Sequence, residues 1–272
     1  MRLSRRMIQK LTRARGIMIN RKPAFLARKV RLGDRLAARI GAPHENGVLA
    51  PKSMDLSIAY EDDDVIVIDK PAGILVHPTG STSRPTLSHG VAHHFALQGL
   101  SAPVRPVHRL DRDTTGLVIF ARSAFAHQQL DLQLRHRDLV REYLAVVTGI
   151  MDENEGVVDA PIGRVHGDPR RRTVRPDGDP ARTHFEVVRR MDSATLVKVR
   201  LETGRTHQIR VHMRYIGHAV LGDRMYGGEG RSGLARQALH AESVTFRQPR
   251  SGEVINRTAP LPADLVRLLE EA

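Results

Sequence analysis

The sequence predicts an α+β fold with a mostly antiparallel, mixed sheet and flanking helices, on three observations. Apolar runs of strand length outnumber the legible helices. Strands and helices do not alternate regularly, as they would around a parallel sheet. No segment repeats, so a solenoid or propeller is not indicated.

The elements follow in chain order. Residues 1–42 are the most basic stretch and form a small α/β unit. Ser4 is placed to cap a helix carrying Ile8 and Leu11 on one face to about Arg15, and Gly16 stops it. Ile17-Met18-Ile19 reads as a short strand, Asn20-Arg21-Lys22 as a turn and Leu32-Gly33-Asp34 as a second turn. Gly41 to Met54 holds Gly, Pro, Asn and Ser without periodicity, which sets a linker at 43–54 and a main domain at 55–272. In that domain Val65–Ile68, Val118–Phe120 and Leu144–Val147 are buried strands. Val197, Val199 and Leu201 alternate with Lys198, Arg200 and Glu202, the pattern of a half-buried one. Ser123 caps a helix whose Ala126, Leu130 and Leu134 repeat every four residues. Thr206 opens another with Ile209, Met213 and Ile216 on one stripe and Gly217 as its stop.

Composition narrows the function classes. The 272 residues carry 43 Lys+Arg against 30 Asp+Glu, a formal charge of +13, and 37 of the cations are Arg. A single-sign field of this size attracts phosphate backbones, and the guanidinium fork suits RNA; surface Arg usage alone is the plainer account. With no cysteine, the chain has no disulfides, thiol nucleophile or cysteine–zinc site. No apolar run approaches 18 residues and no signal-peptide core follows the basic N-terminus, so a soluble cytoplasmic protein without membrane partners is expected.

Four islands carry chemistry. In Val107-His108-Arg109-Leu110-Asp111-Arg112-Asp113-Thr114-Thr115-Gly116-Leu117, charges crowd ahead of an apolar strand. A solvated turn is one reading. A metal on the Asp pair is opposed by the flanking cations. A carboxylate kept ionised by those cations, and so nucleophilic at neutral pH, is the other. In Glu202-Thr203-Gly204-Arg205-Thr206-His207-Gln208-Ile209-Arg210-Val211-His212, Arg205 precedes a helix start, where the positive end of the macrodipole disfavours a cation. An anion should meet it, either a phosphate or Asp111. His207 and His212 are five apart and do not share a helical face, so a structural role suits them better than zinc ligation. Asp69-Lys70-Pro71-Ala72-Gly73, followed by His77-Pro78, is a turn after a strand. Arg141-Glu142-Tyr143 places one of four tyrosines at the head of a strand, by default a core residue.

Together the islands resemble the RluA/RluD-type pseudouridine synthase family over roughly residues 55–250. The carriers are K-P-A-G…H-P at 70–78, H-R-L-D-R-D-T-T-G-L at 108–117, R-E-Y-L-A-V-V-T-G at 141–149 and T-G-R-T-H-Q-I-R-V-H at 203–212. Gly217 to Asp223 with Tyr226-Gly227 extends the last. Thr115 stands where Ser is usual and Ala219 where Pro is usual. The N-terminal stretch is similar to an S4-type RNA-binding domain, with Arg21 where Gly is usual and without the helix that normally precedes Ser4.

The resemblance implies isomerisation of uridine to pseudouridine in structured RNA, most often large-subunit (23S) ribosomal RNA, with tRNA as the alternative. It assigns Asp111 as nucleophile, Arg205 as the cation paired with it, and Tyr143 as the ring that stacks on a flipped base. Arg109 and Arg112 would hold flanking phosphates. His108 would support the loop, and with Lys70 and Ile209 it joins the RNA-contacting set. Arg5, Arg6 and Lys10 would serve the S4-type module. The loop Arg164–Arg175, with Arg170, Arg171 and Arg172, is either an arm clamping RNA or a solvated surface loop. The reaction exchanges no electrons or phosphoryl groups, and neither a P-loop nor a dinucleotide fingerprint is present, so no cofactor, no metal and a monomer are expected. Two rivals are a non-catalytic RNA-binding or ribosome-assembly protein and a glycosidase using Asp111 with Asp113. Intact Asp111, Tyr143 and Arg205 argue against the first. The two-residue spacing on one loop argues against the second.

Overall fold

The computed structural model describes residues 5–38, 49–79, 84–100, 102–228 and 234–271; the side chains of Arg6 and Lys10 fall outside it, as do Ser4 and 41–48 of the linker region. The first unit is helix α1 (Arg5–Arg13) followed by a three-stranded antiparallel sheet, β1 (Ile17–Ile19), β2 (Lys22–Pro23) and β3 (Leu36–Ala38), in the order β2-β1-β3. The helix ends two residues before the expected point. Arg15 takes a left-handed φ of 52° and the Gly16 N–H closes on the Leu11 carbonyl at 2.7 Å, so the stop is shared. The turn falls at 20–21, one residue shorter than read because Lys22 already begins β2, with both Asn20 and Arg21 left-handed. This is the two-residue hairpin geometry that Asn tolerates well and Arg poorly. Asn20 fastens it by donating to the Asp34 carboxylate at 2.7 Å and accepting from the Arg35 N–H at 2.9 Å.

The rest is organised by a ten-stranded sheet. Its strands are β4 (Ser57–Glu61), β5 (Val65–Lys70), β6 (Arg105–Pro106), β7 (Thr115–Ala121), β8 (Val140–Thr148), β9 (Glu155–Asp159), β12 (Arg182–Arg190), β13 (Ala194–Leu201), β14 (Leu239–Arg247) and β15 (Val254–Thr258). Strands β10 (Ile162–Val165) and β11 (Asp168–Val174) form a separate hairpin. The main order is β4-β5-β7-β14-β8-β13-β12-β9, with β6 on β7 and β15 on β14. Every pairing is antiparallel except β7 with β14, which is parallel, so the predicted mixed, mostly antiparallel sheet stands. At that junction Gly116 (φ 104°) passes so close to β14 that a Cβ would lie 2.2 Å from the Ala241 carbonyl oxygen.

The central strands read as unbroken apolar runs because both faces are covered. On β5 and β7, Ile66, Ile68, Val118 and Phe120 enter one core, with Leu87, Val91 and Phe95 of α2 (Leu87–Leu97) and Leu265 and Leu268 of α5 (Ala263–Glu270). Val65, Val67, Leu117 and Ile119 enter the other, with Ala126 and Leu130 of α3 (Ala124–His136). The Ser123 side chain accepts from the Ala126 N–H at 3.0 Å, the cap the sequence predicts. Helix α4 (Gln208–Tyr215) begins differently from expectation: the capping position is His207, left-handed at φ 59°, not Thr206. The segment 164–175 is a β-hairpin turned at Gly167 (φ 79°), not a loop. Among the described residues no helix is long and apolar enough to cross a membrane.

Candidate active site

The loop between β6 and β7 carries Asp111 to the centre of the sheet, opposite β8 and the first turn of α4. There a pocket of about 50 Å³ is lined by Asp111, Tyr143, Arg205, His207, Ile209 and Arg210, among others. Asp111, Tyr143 and Arg205, from three distant stretches, thus converge.

The pairing inside the pocket is not the expected one. The guanidinium on Asp111 is that of Arg210, whose Nη1 donates to Oδ2 at 2.9 Å. Arg205 is exposed, lines the same pocket, and donates from Nε to the Pro180 carbonyl at 3.0 Å. The reason is geometric: the left-handed His207 turns the chain so that Arg210 faces inward while Arg205 stays on the rim. Arg210 also forks onto Asp223, Nε to Oδ2 at 2.6 Å and Nη2 to Oδ1 at 2.9 Å. One buried cation therefore bridges two carboxylates, with its Cζ 4.9 Å from the Tyr226 ring centroid.

Tyr226, which sequence reasoning noted only as part of a motif, ties this cluster to the β10–β11 hairpin. It is 2% exposed, and its hydroxyl accepts from the Arg172 backbone N–H at 2.9 Å. The same hydroxyl lies 2.8 Å from His207 Nδ1. The phenol proton then points at Nδ1. Burial holds His207 below its usual range against the opposing pull of Asp111, so the neutral ring carries its proton on Nε2, facing Asp111 Oδ1 at 3.9 Å. Tyr226→Phe is expected to keep the fold and lower the rate of the chemical step by about 10–100-fold, through the hydrogen-bonded partners of the site. Single-turnover kinetics checks it; an unchanged rate would show that the hydroxyl does not act on Asp111.

The remaining predicted residues fall as follows. Tyr143 is buried on β8, and burial raises its hydroxyl above the usual range against an opposing effect of Arg141. Arg109 is exposed and lines the pocket. Arg112 is exposed and forks onto Asp113. Ile209 is a buried apolar wall of the pocket. His108 is buried and supports the loop, its Nε2 accepting from the Ile119 N–H at 3.3 Å.

Lys70 corrects the expectation of an RNA contact. It is wholly buried, and its ammonium donates to the Pro71, Ile74 and Arg112 carbonyls at 2.8, 3.1 and 2.9 Å. It pins the 71–74 turn to the Asp111 loop from behind, and burial pushes it down to about 7. On the hairpin, Arg170 is exposed, whereas Arg171 and Arg172 are half-buried, with Arg172 Nη1 on the Pro169 and Arg171 carbonyls. Arg5 is exposed on α1. Among the described residues no group of three or more His, Asp or Glu is placed to hold a metal ion.

A carboxylate in a small pocket, fixed by a buried guanidinium and faced by an aromatic ring, can attack an electrophilic carbon. A family model for RNA pseudouridylate synthase matches residues 64–215. An uncharacterized RNA pseudouridine synthase, YlyB of Bacillus subtilis, is 42% identical over 270 residues, which span 98% of this chain and 89% of the relative. Ribosomal large subunit pseudouridine synthase D of Haemophilus ducreyi is 38% identical over 277 residues, 96% of this chain and 82% of its own. Among solved structures, human RNA pseudouridylate synthase domain containing 4 superposes with a TM-score of 0.65 at 25% identity, over 79% of this chain and 92% of that one.

Proposed function

The chain belongs to the RNA pseudouridylate synthase family and is an RNA pseudouridine synthase, an isomerase, and from that premise we propose that its substrate is large-subunit ribosomal RNA and its nucleophile Asp111. The observation that carries the mechanism is the Asp111 carboxylate, held at 2.9 Å by Arg210 in a pocket closed on one side by Tyr143. In outline, the bond from base N1 to ribose C1′ breaks, the base turns, C5 bonds to C1′, and the proton lost from C5 is balanced by one gained at N1. Carboxylate chemistry at such a carbon is familiar from retaining glycosidases. The recess of Asp111, whose side chain is only 16% exposed, supports base flipping, because a paired uridine could not reach it; unstacking costs roughly a few kcal/mol. Stacking on Tyr143 offsets part of that, at about 1–3 kcal/mol per base.

Arg210 orients Asp111 through its 2.9 Å contact. Arg205 and Arg109, on the rim, meet the backbone of the flipped nucleotide. The 5–38 unit serves as an S4-type module, where exposed Arg5 can meet phosphates. The names of relatives such as synthase D support ribosomal RNA over tRNA. Mapping pseudouridine in total RNA with and without the gene tests this. Loss of ribosomal sites is expected; loss confined to tRNA would redirect the assignment.

The β10–β11 hairpin serves as an RNA clamp. Substituting Arg170, Arg171 and Arg172 together by Ala should flatten the dependence of log binding constant on log salt by about 1–2, at roughly 0.7–0.9 per phosphate contact. The internal bonds of Arg172 keep the figure low. An unchanged slope would make the hairpin an ordinary solvated surface.

A further inference from the structure

Beside the Asp111 pocket lies a larger cavity of about 570 Å³, also reached by Asp111 and Tyr143. Its wall carries Arg109, Arg135, Arg137, Arg141 and Arg205 against Glu202, and that carboxylate is already engaged by His184 at 2.6 Å and Arg137 at 2.7 Å. Arg109, Arg137 and Arg205 are exposed and hydrated in their own right. Arg141 is different. Two residues before Tyr143 and on the same face of β8, it is only 5% exposed. It forms no ion pair with a described residue; its side chain hydrogen-bonds the Tyr143 hydroxyl, but its buried Nε has no hydrogen-bond partner among the described residues. A guanidinium withdrawn from water without a counter-charge is costly unless the functional complex brings one.

A second donor lies in the same wall. His108 Nε2 accepts from the Ile119 N–H, so the neutral ring carries its proton on Nδ1, and that buried atom is also without a partner. Burial, reinforced by Arg141, keeps the ring neutral. Two unanswered N–H donors and a net positive wall ask for an oxyanion, and the phosphodiester is the only formally anionic group that RNA carries. The cavity adjoins the base pocket, which fits the backbone linkage next to the flipped nucleotide.

We propose that Arg141, with His108, forms a buried phosphodiester subsite that takes the linkage immediately flanking the target uridine. The proposal rests on reading the Asp111–Tyr143 pocket as the seat of that uridine. Filling the subsite makes the backbone, and not only the base, a condition of productive binding.

The test pairs protein and RNA changes in the full-length enzyme. Substrate RNAs carry an uncharged methylphosphonate at the linkage 5′ or 3′ to the target uridine, and wild type is compared with Arg141→Gln and Arg141→Lys. On native RNA, Arg141→Gln should raise KM by about 30-fold or more, the usual scale for losing one partner of a buried charge pair. Arg141→Lys should recover part of that loss. On RNA neutralised at the bound linkage, wild type should show the same loss and Arg141→Gln less than a further factor of about two, since the pair is already broken. Losses that multiply would overturn the subsite. So would a wild type indifferent to neutralisation at both linkages, a result that stands even if Arg141→Gln fails to fold. A wild type inactive on the native RNA would instead mark a wrong choice of substrate.

Discussion

Asp111→Asn is expected to reduce pseudouridine formation by at least about 10⁴-fold in a single-turnover assay, with RNA binding and thermal stability close to wild type. The asymmetry follows from the site. An Asn amide oxygen can still accept the Arg210 Nη1 hydrogen bond that Asp111 accepts at 2.9 Å, so the loop keeps its place. Removing one negative charge from a basic cleft should not weaken binding of a polyanion. What is lost is the nucleophilic oxygen itself. A rate within tenfold of wild type would remove Asp111 from the reaction, and a parallel loss of RNA affinity would recast it as a binding group.

Arg210→Met should be the more damaging change to the fold, at about 3–5 kcal/mol, because it leaves carboxylates uncompensated. The Asp223 side chain is 1% exposed, and Arg210 is its ion-pair partner among the described residues. The Met225 and Tyr226 N–H groups at 3.1 and 3.3 Å would remain as its donors. Urea melts of wild type and variant check it; equal stability would mean that burial of Asp223 does not depend on the cation.

Much of this was legible in the sequence, and the physical reasons differ by element. β5, β7 and β8 announce themselves because strands covered on both faces need apolar residues at successive positions. α3 is marked by Ser123 and its four-residue repeat. α2 was missed: its Thr86 N–H donates to His89 Nδ1 at 3.0 Å, a capping contact made with His where Glu or Gln is the usual signal. The β10–β11 hairpin was hidden because Arg and Asp occupy both faces. Within the site, the ordered motifs brought Asp111, Tyr143 and Arg205 to one pocket. The macrodipole argument left a phosphate or Asp111 as the anion for Arg205; the resemblance paired Arg205 with Asp111, where the structure has Arg210. The choice between Arg205 and Arg210 is made by the backbone of His207, a conformation no local pattern announces. Lys70 was misread for a related reason. A lysine ringed by three carbonyls looks, in sequence, like any other cation beside a turn.

The parallel junction at the middle of the sheet bears on how the enzyme is made. Thr115 Oγ1 meets His240 Nδ1 at 2.9 Å across 125 positions of chain. A ribosome must therefore finish nearly the whole polypeptide before the seam between β7 and β8 can be filled. Until then two long apolar borders stand open to neighbouring nascent chains, a hazard for coalescence in crowded expression hosts. Fragments stopping short of Leu239 should emerge as inclusion bodies rather than as smaller working units.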